Sequence, residues 1–448
     1  MKIDPFSFPE GIHVLEHIDR LVEIFNVCWP MYAAMPAVLK SAVERSYLAC
    51  GWDMTRSVNR FGKKLYPVFA DVARNVKAII DSSEYDAENK GAYKGSLLTR
   101  LDSLTNGING LIFASEELSA TQLFDENVII DLSRIGSAET KSLIMGMLVL
   151  KLQEYRMTGN GMNVPLQHIT VLEEAHNLLK RTSYEQNSEA GNLLGKSVEM
   201  ISNAIAEMRT YGEGFIIADQ APGLLDMSAI RNTNTKIILR LPDQGDRELV
   251  GRSANLNDAQ ITELAKLPRG VAAVYQNEWV QPVLCKVDEA GVNGTIYHYE
   301  PKNDERTDMS EGLYIAELLC KGTRLNKEVI LGSISEKLES MHIIPSLKAK
   351  IFDMLLEPPA EPRMTKLAPI IGALLPDMLL TMEKVYSESN DPVSWTKLCE
   401  DQLRKITCQE IDDQTRRDIV QAIVTDHLFN HLGRADELQK WQIEGGLK

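Results

Sequence analysis

The sequence predicts an α/β protein: a parallel sheet with flanking helices, set between a helical N-terminal region and a helical C-terminal region. Two observations carry this. From Asn127 to about Asp288, short apolar runs (VIID, ITVL, FIIA, KIIL, VAAV) alternate with helical stretches, the pattern of strands buried on both faces. On either side of that region apolar residues recur at helical spacing instead.

The 448 residues are enough for a large core and two or three domains. Hydrophobic content of 44% and charged content of 25% are ordinary for a soluble globular chain. The net charge of −15 argues against a general nucleic-acid binder; any contact with DNA needs a local basic patch or a pore. The six cysteines are scattered without CxxC spacing, so neither a zinc site nor a disulfide framework is expected. MKIDPFSFPEG lacks the features of a signal peptide, and no stretch reaches the length of a membrane-spanning helix. A cytoplasmic location without membrane association is the expectation.

Residues 9 to about 120 read as helical. Pro9 suits a first helical turn. Ile12, Leu15, Ile18, Leu21, Val22 and Phe25 then form one stripe. MPAVLKSAVERSYLAC, YPVFADVARNVKAII and KGSLLTRLDSLTNG are further helices packed by their apolar faces. NVIIDLS is a strand ending in Asp131 and Ser133, followed by the helix TKSLIMGMLVLKLQEYR, the turn TGNGMN and the strand HITVL. A long helix covers roughly 192–209, and GFIIADQ, TKIILRL and GVAAVYQ are the remaining strands. HYEPKNDERTDMSEG is linker-like, and beyond it lie helices broken by LEPPAEPR and NDPVS.

The chemistry concentrates where ITVL meets Glu173 and Glu174. Side chains at the C-terminal end of a parallel strand face the ligand crevice. One acid there can hold Mg²⁺, directly or through water, and the next can polarise a water that attacks a γ-phosphate. The same dipeptide also suits a helix start, where acids favour the positive end of the dipole. Gln220, closing GFIIADQ, can sense a γ-phosphate or orient water, or simply form a turn. Arg209, at a helix end before two glycines, can cap that helix or reach a neighbouring subunit's phosphates. Arg240, ending TKIILRL, is a second candidate for an anionic ligand.

VIIDLS, ITVLEEAHNLL, EMRTYGEGFIIADQAP, NTNTKIILRL, DRELV and LPRGVAAVY, taken in this order, resemble the later part of the HerA-like ATPase core. That family includes HerA DNA translocases, FtsK motors and conjugative secretion ATPases. The resemblance covers roughly 127–288 and implies a RecA-like sheet binding ATP and Mg²⁺. It implies that Glu173 takes the position usually held by Asp at the end of the Walker B strand. By the same resemblance Glu174 is the catalytic acid, Gln220 the sensor, and Arg209 a group acting across a hexamer interface. Glu reaches one methylene further than Asp, so Glu173 departs from the family's pattern at the Mg²⁺ contact, which can be direct or through water. Residues 1–126 resemble a helical insertion carried between the Walker motifs, 127–289 the α/β core, and 310–448 a C-terminal helical region without an assignable motif.

No G-x-x-x-x-G-K-[ST] precedes Asn127. AGNLLGKS satisfies a relaxed form of it, with Lys196 in the lysine position. A phosphate loop must leave a buried strand and open into a helix N-terminus. RTSYEQNSE is too polar for that strand, and Leu193, Leu194, Val198 and Ile201 suit a helix already under way. The expectation is therefore a core that starts after its phosphate loop, with an incomplete sheet. It would act in a homo-oligomer or with a partner chain that carries the loop. A non-catalytic assembly subunit binding homologous ATPases or DNA is the alternative.

Overall fold

The computed structural model describes residues 2–115, 117–159, 161–181, 189–289, 291, 309–321, 334–335, 337–338, 341, 343–356, 363–389, 391–406 and 411–444, and of 189–193, 309–310 and 363 only the backbone. Most of the expected linker, of the LEPPAEPR break and of RTSYEQNSE lies outside these residues. Two units are distinguished. The first comprises residues 1–45 and 68–298, the second residues 46–67 and 299–448.

The chain opens with α1 (Val14–Cys28) and α2 (Met35–Ala49), then the two-residue strands β1 (Trp52–Asp53) and β2 (Val58–Asn59), then α3 (Phe69–Ser82). Four short helices follow, α4 to α7, at Ala87–Tyr93, Thr99–Thr105, Gly107–Ile112 and Ala120–Phe124. Pro9 falls outside α1. The helix starts only where the His13 side chain accepts the Leu15 N–H, so the cap rather than the proline sets the boundary. The stripe of α1 buries Ile18, Leu21, Val22 and Phe25, each contributing about 1.5–3 kcal/mol.

α8 (Ala138–Gly159) is the long helix expected after VIIDLS. Every residue from Ser142 to Met147 is buried, so α8 packs on all sides rather than along one face. Its Glu154 meets His17 of α1 at 2.9 Å in a fully buried pair. β3 (His168–Glu173) and β4 (Glu213–Ala218) form a two-stranded parallel sheet, from His168 opposite Glu213 to Glu173 opposite Ala218. Between them runs α9 (Glu189–Glu207). α10 (Met227–Asn232), β5 (Thr235–Ile238), α11 (Gln244–Ser253), α12 (Asp258–Glu263), β6 (Val271–Gln276) and β7 (Val283–Lys286) then follow in that order.

The α/β class stands, with a small parallel sheet, but two strand expectations are corrected. NVIIDLS forms no strand. Ile129 is 96% exposed, and Asp131 instead closes a turn by accepting the Ser133 N–H at 2.8 Å. Its β-branched residues favour a strand, but a strand needs a neighbour for its ladder bonds, and none lies beside it among the described residues. TKIILRL and GVAAVYQ do form β5 and β6, but they pair antiparallel, and β7 extends them antiparallel again. A helical connection between two apolar runs therefore does not guarantee parallel pairing.

The second unit is a helical core around Trp441, whose indole N–H donates to Thr396 at 3.0 Å. The β1–β2 hairpin belongs to it. Phe61 packs on Phe352 with ring centroids 5.6 Å apart, and Arg60 pairs with Asp353. Among the described residues no single helix is long and apolar enough to cross a membrane; Met364–Leu374 and Pro376–Glu388 pass that test only as a pair bent by 104°.

Candidate functional site

β3 and β4 end side by side, and their C-terminal residues make the site. After Glu173 the chain leaves the strand through Glu174, which is held left-handed at φ 50° and ψ 49°, and enters a single 3-10 turn, Ala175–Asn177. A non-glycine residue there carries a backbone cost on the order of 1–2 kcal/mol. The conformation is fixed by its surroundings. The Glu174 carbonyl accepts the Asn177 backbone N–H and side-chain amide, both at 2.9 Å. Buried Ala175, Leu178 and Leu179 anchor the turn beneath.

The other strand supplies Asp219 and Gln220. The Asp219 side chain is 2% exposed. Its Oδ2 accepts the backbone N–H of His176 at 2.9 Å and lies 2.8 Å from the His176 Nδ1, and its Oδ1 accepts the Ala221 N–H at 2.9 Å. Gln220 Nε2 donates to Glu174 Oε1 at 2.9 Å. The loops beyond are tied together: Arg181 N–H donates to Leu224 O at 2.7 Å, and Asp226 N–H to Leu179 O at 2.9 Å. Two segments more than forty residues apart in sequence are thereby fixed as one surface at the strand ends, where open α/β sheets place ligands.

Glu174 and Gln220, singled out from the sequence, are brought into contact. Glu173 is not part of that contact. Strand alternation puts it on the same face as Ile169 and Val171, which are exposed, as Glu173 is. As a single exposed carboxylate it suits Mg²⁺ only when phosphate oxygens and water complete the shell. Arg209 lies in the 3-10 turn Met208–Tyr211 at the opposite end of β4, about 20 Å along the strand from the acids. It is exposed, and its carbonyl accepts the Gly212 N–H at 3.1 Å. Arg240 follows β5 in the antiparallel sheet; it is exposed, not the end of a buried strand. Lys196 is exposed within α9, so AGNLLGKS is helix rather than a loop leaving a strand; the side chain of Leu193 lies outside the described residues.

Sequence reasoning missed His176 and Asp219. Both adjoin motif residues, in EEAH and ADQ, but only the parallel register shows that they meet. It also missed the far end of the sheet. There buried Glu213 accepts Arg156 Nε at 2.9 Å and the Thr170 hydroxyl at 2.7 Å, and lies 2.8 Å from His168 Nδ1. Arg156 continues to Asp125 at 2.7 Å. Although burial pushes Asp125 upward, the Tyr155 hydroxyl and the Arg156 guanidinium hold its carboxyl below the usual range.

No family model matches the chain. Curated relatives do. Over 131 residues the chain is 30% identical to the DNA double-strand break repair helicase HerA of Sulfolobus acidocaldarius, covering 29% of this chain and 24% of that protein. It is 30% identical over 130 residues to the protein of the same name from Sulfurisphaera tokodaii, with the same coverage. It is 31% identical over 122 residues to a probable HerA of Methanocaldococcus jannaschii, covering 27% and 22%. The match thus spans about a quarter of the length of the relatives. Among solved structures, VirB4 of Thermoanaerobacter pseudethanolicus aligns with a TM-score of 0.48 at 16% identity, over 64% of this chain and 74% of that one.

Proposed function

We propose that this chain, which groups with the HerA-like ATPases through its matched segment, contributes the water-activating half of an ATP-hydrolysing site. The observation that carries this reading is the Gln220–Glu174 hydrogen bond at the C-terminal ends of two adjacent parallel strands. Glu174 keeps one carboxylate oxygen outside that bond to take a proton from water. Gln220 donates through its nitrogen and leaves its amide oxygen to orient the same water or register the γ-phosphate. Glu173 would hold Mg²⁺ carried by the nucleotide, directly or through water. When bound, that ion neutralises charge on the phosphates.

Arg209 is assigned to a neighbouring subunit's site, since strand β4 separates it from the acids of its own chain. This fits a ring-type homo-oligomer such as a hexamer. Arg240 stays a candidate for phosphate contact across such an interface. The phosphate cradle is assigned to another chain or segment, because AGNLLGKS lies within α9. DNA is the proposed object of the coupled work, by likeness to relatives named as DNA repair helicases. The same placement of AGNLLGKS favours, as a second reading, an assembly subunit that binds homologous ATPases or DNA without turnover.

The test measures ATP hydrolysis by the purified chain, alone and mixed with a HerA-like chain that carries a phosphate loop. The first reading expects turnover only in the mixture, falling roughly 10²- to 10⁴-fold with Glu174→Gln. A mixture whose turnover is indifferent to Glu174→Gln leaves the non-catalytic reading in place.

A further inference from the structure

We propose that Glu174, His176 and Asp219 form a divalent-metal site with mixed nitrogen and oxygen donors, suited to a transition ion such as Mn²⁺ or Zn²⁺. One ligand atom from each residue lies within 4.8 Å of the others. His176 Nδ1 stands 2.8 Å from Asp219 Oδ2 and 3.5 Å from Glu174 Oε2. An ion about 2.1 Å from each donor needs neighbouring donors about 3.0–3.5 Å apart. The two separations from His176 bracket that spacing, and an ion entering there displaces the Nδ1–Asp219 Oδ2 hydrogen bond.

The donors are held in place before any ion arrives. Asp219 is buried, and its carboxylate is oriented by two backbone N–H groups, those of His176 and Ala221. Glu174 is oriented by Gln220. Such outer contacts typically govern metal affinity by 10- to 100-fold (about that range). Glu174 is half-exposed, which leaves an entry path and room for water ligands. Two carboxylates at one place are relieved by a cation between them. The imidazole decides its class: Mg²⁺ takes oxygen ligands, whereas imidazole suits transition ions.

This site is distinct from the nucleotide-borne Mg²⁺ assigned to Glu173, which lies outside the trio. It goes beyond the hydrolytic reading. An ion here engages the carboxylate that water activation needs, so occupancy and turnover oppose each other.

The test uses the full chain without nucleotide and Mn²⁺ alone, chosen because Mn²⁺ disregards thiols such as the exposed Cys285. Electron spin-echo envelope modulation on bound Mn²⁺ reports a coordinated imidazole nitrogen. The expected result is nitrogen coupling in wild type and its loss in His176→Ala. Affinity should fall at least about tenfold in His176→Ala, Asp219→Asn and Glu174→Gln. His431→Gln, an exposed histidine of the second unit, should change neither reading. Glu174→Gln removes a half-exposed donor and so serves if His176→Ala or Asp219→Asn fails to fold. Absent nitrogen coupling, or Mn²⁺ affinity indifferent to Glu174→Gln, overturns the proposal. Since no nucleotide is present, that failure leaves the hydrolytic reading standing, and the converse also holds.

Discussion

Gln220 donates to Glu174 at 2.9 Å, and Glu174 meets it from a left-handed backbone that glycine would adopt without cost. The position therefore carries a carboxylate where the backbone asks for none. Glu174→Gly should relieve the strain, set against the larger entropy glycine gains when unfolded. The expected change in unfolding free energy is neutral to stabilising, by at most about 1 kcal/mol. Urea denaturation of the two proteins checks this. A loss of more than about 1 kcal/mol would mean that the side chain, not the turn, supports the local fold.

Arg209 at one end of β4 and Glu174 beside the other cannot serve one phosphate within a single chain. Arg209→Ala and Glu174→Gln should each abolish turnover in the complemented assembly. Mixing the two variants should restore part of it, because some interfaces then carry both intact groups. An arginine of this kind contributes about 10³- to 10⁵-fold. Mixed assemblies as inactive as either parent would place Arg209 outside the reaction.

Glu213 gathers Arg156, His168 and Thr170 in a buried setting. Glu213→Ala strands a buried guanidinium and should cost roughly 3–5 kcal/mol, whereas Glu213→Gln, which keeps an acceptor, should cost less. Thermal and urea unfolding measure both. Equal stability of the alanine variant and wild type would show that Asp125 and the Phe124 carbonyl suffice for Arg156.

Burial raises the Asp4 carboxyl to about 7, against a pull downward from Lys151. The folded chain thus keeps a proton that the unfolded chain releases near 3.8. Stability from this group is complete below that value, declines as pH rises towards 7, and is flat above. Asp4→Asn removes the dependence. The wild-type decline between pH 4 and 7 should exceed that of Asp4→Asn by at most about 4 kcal/mol. Parallel slopes for the two proteins across that window would contradict the assignment.

The helices α1, α3 and α9 were legible because their apolar residues recur at helical spacing, and α8 because its apolar run is too long for a strand. Glu174 and Gln220 were legible as candidates because they close apolar runs, at the end of a parallel sheet where ligands sit. Pairing was not legible. Nothing local in NVIIDLS distinguishes a strand from an exposed segment, since the difference lies in whether a neighbour offers its edge. Nothing in TKIILRL states the direction of its partner. His176 and Asp219 were hidden for a related reason. Each is unremarkable alone, and their contact depends on which residue of β3 lies opposite which residue of β4.

That alignment has a guardian. The pair His168–Glu213 begins the ladder, and Glu213 also holds Thr170 and, through Arg156, helix α8. Strand side chains alternate between faces, so sliding β4 by one residue would exchange its two faces. Glu213 would then face solvent, and Gln220 would miss Glu174. The network at Glu213 lies about six residues, roughly 20 Å, from the acids and touches none of them. It works as a key cut for one lock position: charge at one end of the sheet sets where Glu174 and Gln220 meet at the other.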